Sequence, residues 1–151
     1  MGLSYEDLEV GKRYVIGSHT FERDEVVHFA EQFDPQPFHV SEAGGEASMF
    51  GGLVASGWHT TALFMGMFVR EILLDSASLG SPGVDELRWR APVRPGDTLS
   101  GRVTVTDVQP SSSNPGRGTV FTSSEVLNKD GTVVMTLKAR GFFARREPSA
   151  T

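Results

Sequence analysis

Residues 56–74 of the chain read SGWHTTALFMGMFVREILL. From Ala62 to Val69 the stretch is apolar around most of a helical wheel, and its first charged residues are Arg70 and Glu71. At about 1.5 Å per residue it would form a helix roughly 30 Å long. Because such a helix exposes apolar groups on most sides, other parts of the chain have to cover it. The stretch therefore predicts a helix at the centre of the fold.

The uncharged segment around this helix has the length of a membrane span but not its composition. Residues 50–69 contain no Asp, Glu, Lys or Arg, and the segment has about the length of a span of roughly 20 residues. Glycine, serine, histidine and threonine crowd its first half, however, which leaves an apolar part too short to cross hydrocarbon. We expect a helix inside a globular fold and no membrane contact.

Four strand-like runs follow the helix and could supply its cover. They are rich in β-branched residues and separated by turn-forming segments, and they lie at residues 84–93, 98–108, 119–127 and 132–144. The last two are predicted to form a hairpin through Asn128-Lys129-Asp130-Gly131. Along the final run alternate positions are mostly apolar, as is typical of a strand with one buried face.

The part of the chain before the central helix contains shorter elements. We expect a strand at residues 11–21, an amphipathic helix at 24–33 that ends before Pro35, irregular chain at 34–39 and a helical turn at 41–47. One buried helix with an opening strand and four later strands predicts an α+β fold, with an antiparallel sheet curled round the helix. This is the hot-dog arrangement, and we expect a single domain over residues 1–151.

Composition excludes several classes of function. The chain has 151 residues, 38% of them hydrophobic, and a net charge of -5 that would repel a phosphate backbone, so nucleic acid is not an expected partner. The absence of cysteine excludes a disulfide scaffold, a thiolate nucleophile and cysteine-based zinc sites. The first residues lack a cationic region followed by an apolar one, so we expect a cytoplasmic protein without a secretory signal.

The segment from Asp34 to His39 carries the first candidate site. Asp34 and His39 lie five residues apart, and fully extended chain would separate them by roughly 16 Å. Only a bent loop brings both to one substrate, and Pro35 and Pro37 restrict the loop in a way that favours such a bend. Alternatively, Asp34 only turns the chain while His39 packs beside Phe38.

The start of the central helix is the second candidate. At Ser56-Gly57-Trp58 the free backbone N–H groups and the helix dipole favour developing negative charge, and glycine permits a close approach. Alternatively, Gly57 only provides space for packing. His59 could line the same opening, although a helix start rich in serine and threonine is ordinary capping.

No metal site or separate cofactor is predicted. His19 is expected in a strand and His28 on the polar side of a helix. His39 and His59 lack the spacing of metal ligands, and Asp34 alone would not complete a site. The glycine pair at 51–52 lacks the lysine of a phosphate-binding loop, and no dinucleotide fingerprint is present.

The segment Asp34-Pro35-Gln36-Pro37-Phe38-His39 resembles the D-x-N-P-x-H motif of the MaoC-like dehydratase family, which includes the R-specific enoyl-CoA hydratases. The resemblance extends to FGGLVASGWH at residues 50–59 and RAPVRPGD at 90–97, in the same order along most of the chain. Gln36 stands where the motif has asparagine, Ser56 where many members have histidine, and Met65 where some hydratases have serine.

The resemblance implies a reversible hydration of a 2-enoyl-CoA. It makes Asp34 and His39 the acid/base pair and gives the Gly57 amide a hydrogen bond to the thioester carbonyl, with Ser56 and Trp58 in the same substrate-binding segment. It also implies an acyl-CoA substrate with no further cofactor, and a homodimer or dimer of dimers with the acyl tunnel at an interface. The alternatives are a hot-dog thioesterase and an acyl-CoA-binding subunit without turnover.

Overall fold

The computed structural model describes residues 2–147, so residues 1 and 148–151 of the predicted domain lie outside the described part. A short 3₁₀ turn at Tyr5–Asp7 precedes the main elements. In chain order these are β1 (Arg13–Thr20), α1 (Arg23–Phe33), α2 (Pro37–Val40), α3 (Glu42–Glu46), α4 (Gly57–Phe68), a π-helical continuation (Val69–Leu73), β2 (Ser78–Trp89), β3 (Thr98–Pro110), β4 (Arg117–Leu127) and β5 (Val133–Ala144).

The five strands form one antiparallel sheet in the order β1-β3-β4-β5-β2, which leaves β1 and β2 at the edges. β4 and β5 form the predicted hairpin, in which Leu127 pairs with Val133 and the N–H of Asn128 donates to the carbonyl of Thr132. A sheet of this topology together with the longer helix α4 and its continuation confirms the predicted hot-dog fold.

The main core lies between α4 and the sheet. Phe64, Met67 and Ile72 of the helix and its continuation are buried with strand residues that include Val103 and Leu137. Burial of a side chain of this size stabilises the fold by about 1.5–3 kcal/mol, and truncating Phe64 to alanine would cost about 3–5 kcal/mol because a cavity also forms. Of the helices within residues 2–147, none is long and apolar enough to cross a membrane.

The cover of α4 is incomplete in the single chain. Trp58 and Met65 are 56% and 48% exposed, and Ala62 between them is also exposed, so one face of the helix lies open. Residues 58, 62 and 65 share a face because they are spaced by four and three positions. The sheet therefore shields only part of the apolar surface that the sequence places on this helix.

Two predicted segments differ from the structure by more than two residues. β2 begins at Ser78, six residues before the expected start at 84, and ends at Trp89 instead of 93. Its first half contains Gly80, Pro82 and Gly83, which disfavour strand in isolation, yet irregular pairing with β5 accommodates them at this sheet edge. The expectation of irregular chain over 34–39 is wrong in its second half: Pro37 starts helix α2, because a proline at the first helical position has the required φ and needs no donor.

Candidate active site

The end of α1 and the short helix α2 position Asp34 and His39. The N–H of Asp34 donates to the carbonyl of Ala30 at 2.9 Å, and Pro35 prevents the helix from continuing. The N–H of His39 donates to the carbonyl of Gln36 at 2.9 Å, which closes the turn. As a result Asp34 Oδ2 lies 3.4 Å from His39 Nε2. The bent loop expected from the two prolines brings the carboxylate and the imidazole together.

A backbone carbonyl orients the ring of His39. The ring is buried, and Nδ1 lies 2.7 Å from the carbonyl oxygen of Val54. Because a carbonyl only accepts hydrogen bonds, Nδ1 carries the hydrogen and donates it. In the neutral ring Nε2 therefore has the free lone pair, and this is the nitrogen that faces Asp34. Phe38 packs edge-on against the ring at a centroid distance of 4.6 Å.

Two side-chain donors hold the Asp34 carboxylate. Gln36 Nε2 donates to Oδ1 at 2.8 Å, and Ser56 Oγ donates to Oδ2 at 2.7 Å. Burial by itself raises the pKa of Asp34, but these hydrogen bonds and the positive charge of a protonated His39 outweigh it and lower the pKa below its ordinary value. Asp34 is therefore a carboxylate at neutral pH and accepts hydrogen bonds.

The N-terminus of α4 lies beside this pair. Ser56 caps the helix, since its Oγ accepts from the N–H of Trp58 at 3.2 Å. The N–H of Gly57 finds no protein acceptor among residues 2–147. The indole of Trp89 packs against Gly57 and donates from Nε1 to Thr61 Oγ1 at 3.1 Å, so strand β2 is tied to the first turn of the helix.

These groups open into one cleft of about 530 Å³. Its wall includes Asp34, His39, Gly57, Trp58 and Trp89. The structure thus brings four of the five predicted site residues to a common space. Ser56 is the exception: it is fully buried behind Asp34, where its hydroxyl contacts the carboxylate instead of the cleft. Trp58 and Trp89 meet edge-on at a centroid distance of 5.0 Å and form one side of the opening.

His59 takes no part in the cleft wall. Its ring stacks on Phe29 at a centroid distance of 4.5 Å and also contacts Phe21 at 4.6 Å. Burial lowers the pKa of His59, although the negative charge of Glu25 works in the opposite direction and the nearby His19 adds to the lowering. His59 is therefore a neutral core residue that packs α1 against α4. No cluster of three potential metal ligands occurs in the described part of the chain.

Sequence reasoning missed two partners in the site. The carbonyl of Val54 fixes the histidine ring, but a backbone group leaves no signal in residue identity. Gln36 appeared only as a departure from the family motif, whereas its amide is a hydrogen-bond donor to Asp34. Its position two residues after the acid is the one signal that could have suggested this role.

A smaller apolar cavity of about 190 Å³ lies elsewhere against the helix. Phe64, Met65 and Phe68 form its helical wall, and strands β2 to β5 contribute most of the rest. Because apolar side chains make up most of its lining, the space suits a hydrocarbon group better than a charged one.

The fold and the cleft together define a hot-dog protein with a histidine–carboxylate pair beside the N-terminus of its central helix. The chain belongs to the MaoC-like dehydratase family, because the sequence profile of the MaoC like domain matches residues 9–126. This confirms the resemblance found in the sequence.

Three relatives illustrate the similarity of this chain to known proteins. A crystal structure of the MaoC-like dehydratase from Rhodospirillum rubrum is 41% identical, with a TM-score of 0.87 over 97% of this chain and 99% of that one. The 3-hydroxybutyryl-CoA dehydratase of Methylorubrum extorquens is 34% identical over 72% of this chain and 67% of that protein. The (R)-specific enoyl-CoA hydratase of R. rubrum is 26% identical over 91% and 93% respectively.

Proposed function

We propose that the protein catalyses the reversible hydration of a 2-enoyl-CoA to a 3-hydroxyacyl-CoA. The observation that carries the proposal is the single cleft in which His39 and Asp34 lie beside the free N–H of Gly57. Hydration of an enoyl thioester needs a base for water and a donor for the thioester oxygen, and the cleft offers both. The names of two relatives, a 3-hydroxybutyryl-CoA dehydratase and an (R)-specific enoyl-CoA hydratase, support the same class of reaction.

Water in the cleft would bridge Asp34 Oδ2 and His39 Nε2. Both atoms accept hydrogen bonds when His39 is neutral, so each can take one O–H of the same water molecule. Nε2 then removes a proton as the water oxygen bonds to Cβ, and this proton is delivered to Cα. The Asp34 carboxylate orients the water and stabilises the imidazolium that forms. No other reactant is needed, because one molecule of water supplies both the hydroxyl group and the proton.

Gly57 would stabilise the charge that develops on the thioester oxygen. As water attacks Cβ, electron density moves through Cα to the carbonyl and forms an enolate. The N–H of Gly57 lies at the first position of α4, where the helix dipole adds positive potential. A donor of this kind contributes on the order of 10²- to 10³-fold to the rate.

The acyl chain would extend along α4 into the apolar cavity beside Phe64, Met65 and Phe68. A second copy of the chain would cover the open face of the helix and form a homodimer. This expectation is supported by the exposed face of α4 and by exposed Val84 on the edge strand β2, because Val84 and Met65 line the same apolar cavity and adjoining exposed apolar groups often mark an interface.

The test is incubation of the purified protein with crotonyl-CoA and with longer 2-enoyl-CoAs, with product identification by mass spectrometry and a parallel thiol assay. The proposal predicts addition of one water molecule without release of coenzyme A. Release of free thiol from the acyl-CoA would identify a thioesterase instead. Ligand-dependent thermal stabilisation without any product over the whole panel would indicate an acyl-CoA-binding subunit.

A further inference from the structure

Ser56 makes its contacts away from the space that a substrate would occupy. Its hydroxyl donates to Asp34 Oδ2 at 2.7 Å and accepts from the N–H of Trp58 at 3.2 Å. The residue is fully buried, and it joins the end of α1 to the start of α4. Asp34 Oδ2 is also the oxygen that faces His39 Nε2.

Ser56 can donate only one side-chain hydrogen bond at a time. A serine hydroxyl has one hydrogen, and an ionised carboxylate can only accept it. While Asp34 is ionised, Ser56 therefore has no hydrogen left for a substrate oxygen. For Ser56 the contact with Asp34 is thus the alternative to the expected substrate contact, which stays a prediction for Gly57 and Trp58.

The two donors to Asp34 differ in their access to water. Gln36 is exposed, so water competes with its hydrogen bond to Oδ1, whereas the bond from Ser56 to Oδ2 is shielded. A charge-assisted hydrogen bond is stronger where water is excluded. The bond from Ser56 is therefore less weakened by competing water than the bond from Gln36.

We propose that Ser56 is a positioning residue that holds the Asp34 carboxylate in place beside His39. The proposal rests on the proposed hydration, in which Asp34 orients the attacking water. Without the hydroxyl, Asp34 loses its shielded partner and can rotate, so fewer of the bound substrate molecules meet a correctly placed water. The effect should fall on kcat and not on KM.

The test compares Ser56→Ala and Ser56→Gly with Ser76→Ala. Glycine is well tolerated at a helix N-cap, so Ser56→Gly removes the hydroxyl while it largely preserves the start of α4. Ser76 is a matched control at the other end of the helical segment: its Oγ donates to the carbonyl of Leu73 at 2.8 Å and accepts from the N–H of Ser78 at 3.2 Å, remote from Asp34.

Both Ser56 variants are expected to lower kcat about 10-fold with little change in KM, since losing a charge-assisted hydrogen bond has about this effect. The titration of the Asp34 carboxyl carbon, followed by ¹³C NMR, should move to higher pH because the carboxylate loses a hydrogen bond that lowers its pKa. Ser76→Ala should leave all three quantities at their wild-type values.

A raised KM with unchanged kcat would overturn the proposal in favour of a substrate contact. An Asp34 titration equal to that of the wild type in Ser56→Gly would overturn it as well. The NMR comparison needs no turnover, so it tests the role of Ser56 independently of activity. If the wild-type protein hydrates no enoyl-CoA, that result contradicts the proposed function but leaves the NMR test of Ser56 valid.

Discussion

Gly57 and Trp89 are packed so closely that a Cβ atom on Gly57 would lie 2.3 Å from the indole ring. No real Cβ approaches a ring carbon to that distance, so any larger residue at position 57 has to displace Trp89 or the start of α4. The same contact holds the N–H of Gly57 at the cleft. Glycine is thus required here for a packing reason as well as for access to the proposed oxyanion.

Gly57→Ala is therefore expected to reduce kcat/KM on the order of 10²-fold, the scale of a displaced oxyanion donor, and to destabilise the fold by about 1–3 kcal/mol. Gly66→Ala in the same helix is the control, because the nearest atoms to its Cβ would be those at the flexible end of Arg70, from 3.0 Å. Steady-state kinetics and urea unfolding check both. Unchanged kinetics in Gly57→Ala would contradict the role of this N–H.

The buried ring of His59 makes stability depend on pH. Its pKa lies below the ordinary 6.5 in the folded state because burial disfavours the charged form. As the pH falls through 6.5 the unfolded chain takes up a proton that the folded chain does not, so the free energy of unfolding decreases. At higher pH this loss is absent.

His59→Phe, which keeps an aromatic ring beside Phe29, should therefore lose less stability than the wild type between about pH 7.5 and about pH 5. Urea unfolding at a series of pH values measures this slope. His28→Gln, which replaces an exposed imidazole on α1, is the control and is measured over the same series of pH values. A wild-type slope in His59→Phe would show that His59 does not carry the effect.

The proposed dimer can be tested at the two edges of the sheet. Val84 on β2 is 56% exposed and Val15 on β1 is 73% exposed, so each presents an apolar side chain on an edge strand. If β2 forms the interface, Val84→Lys should raise the dimer dissociation constant at least about 10-fold, because a charge is buried there without a partner.

Val15→Lys, a matched change on the opposite edge, should leave the dissociation constant unchanged. Sedimentation velocity at several concentrations measures both variants. A wild-type protein that is monomeric at micromolar concentration, or a stronger effect of Val15→Lys than of Val84→Lys, would count against an interface at β2.

Residue patterns predicted those helices and strands in which the local sequence preference matches the burial of the side chains in the fold. The apolar run of α4 and the alternation of β5 gave elements close to those observed, and the prolines near Asp34 indicated the bend that brings it to His39. The early start of β2 was not predictable from local preference, because pairing with β5 overrides the glycines and the proline there.

The candidate site was also predictable only in part from the sequence. The spacing of Asp34 and His39 suggested that both could reach one point, but the partners that orient them come from distant parts of the chain. Ser56 is 22 positions from Asp34 and Val54 is 15 positions from His39, and neither pairing leaves a periodic signal. Only the fold shows that Ser56 contacts the acid and not the cleft.

The most direct measurement is the rate of crotonyl-CoA hydration by the wild type, Asp34→Asn and His39→Gln, with the folded state of each variant checked by circular dichroism. Asparagine and glutamine approximate the size of the original side chains but provide no carboxylate or imidazole base. Each variant is predicted to remain folded and to lose on the order of 10²- to 10⁴-fold in kcat/KM. Wild-type rates in either folded variant would contradict the assignment of Asp34 and His39 as the acid/base pair.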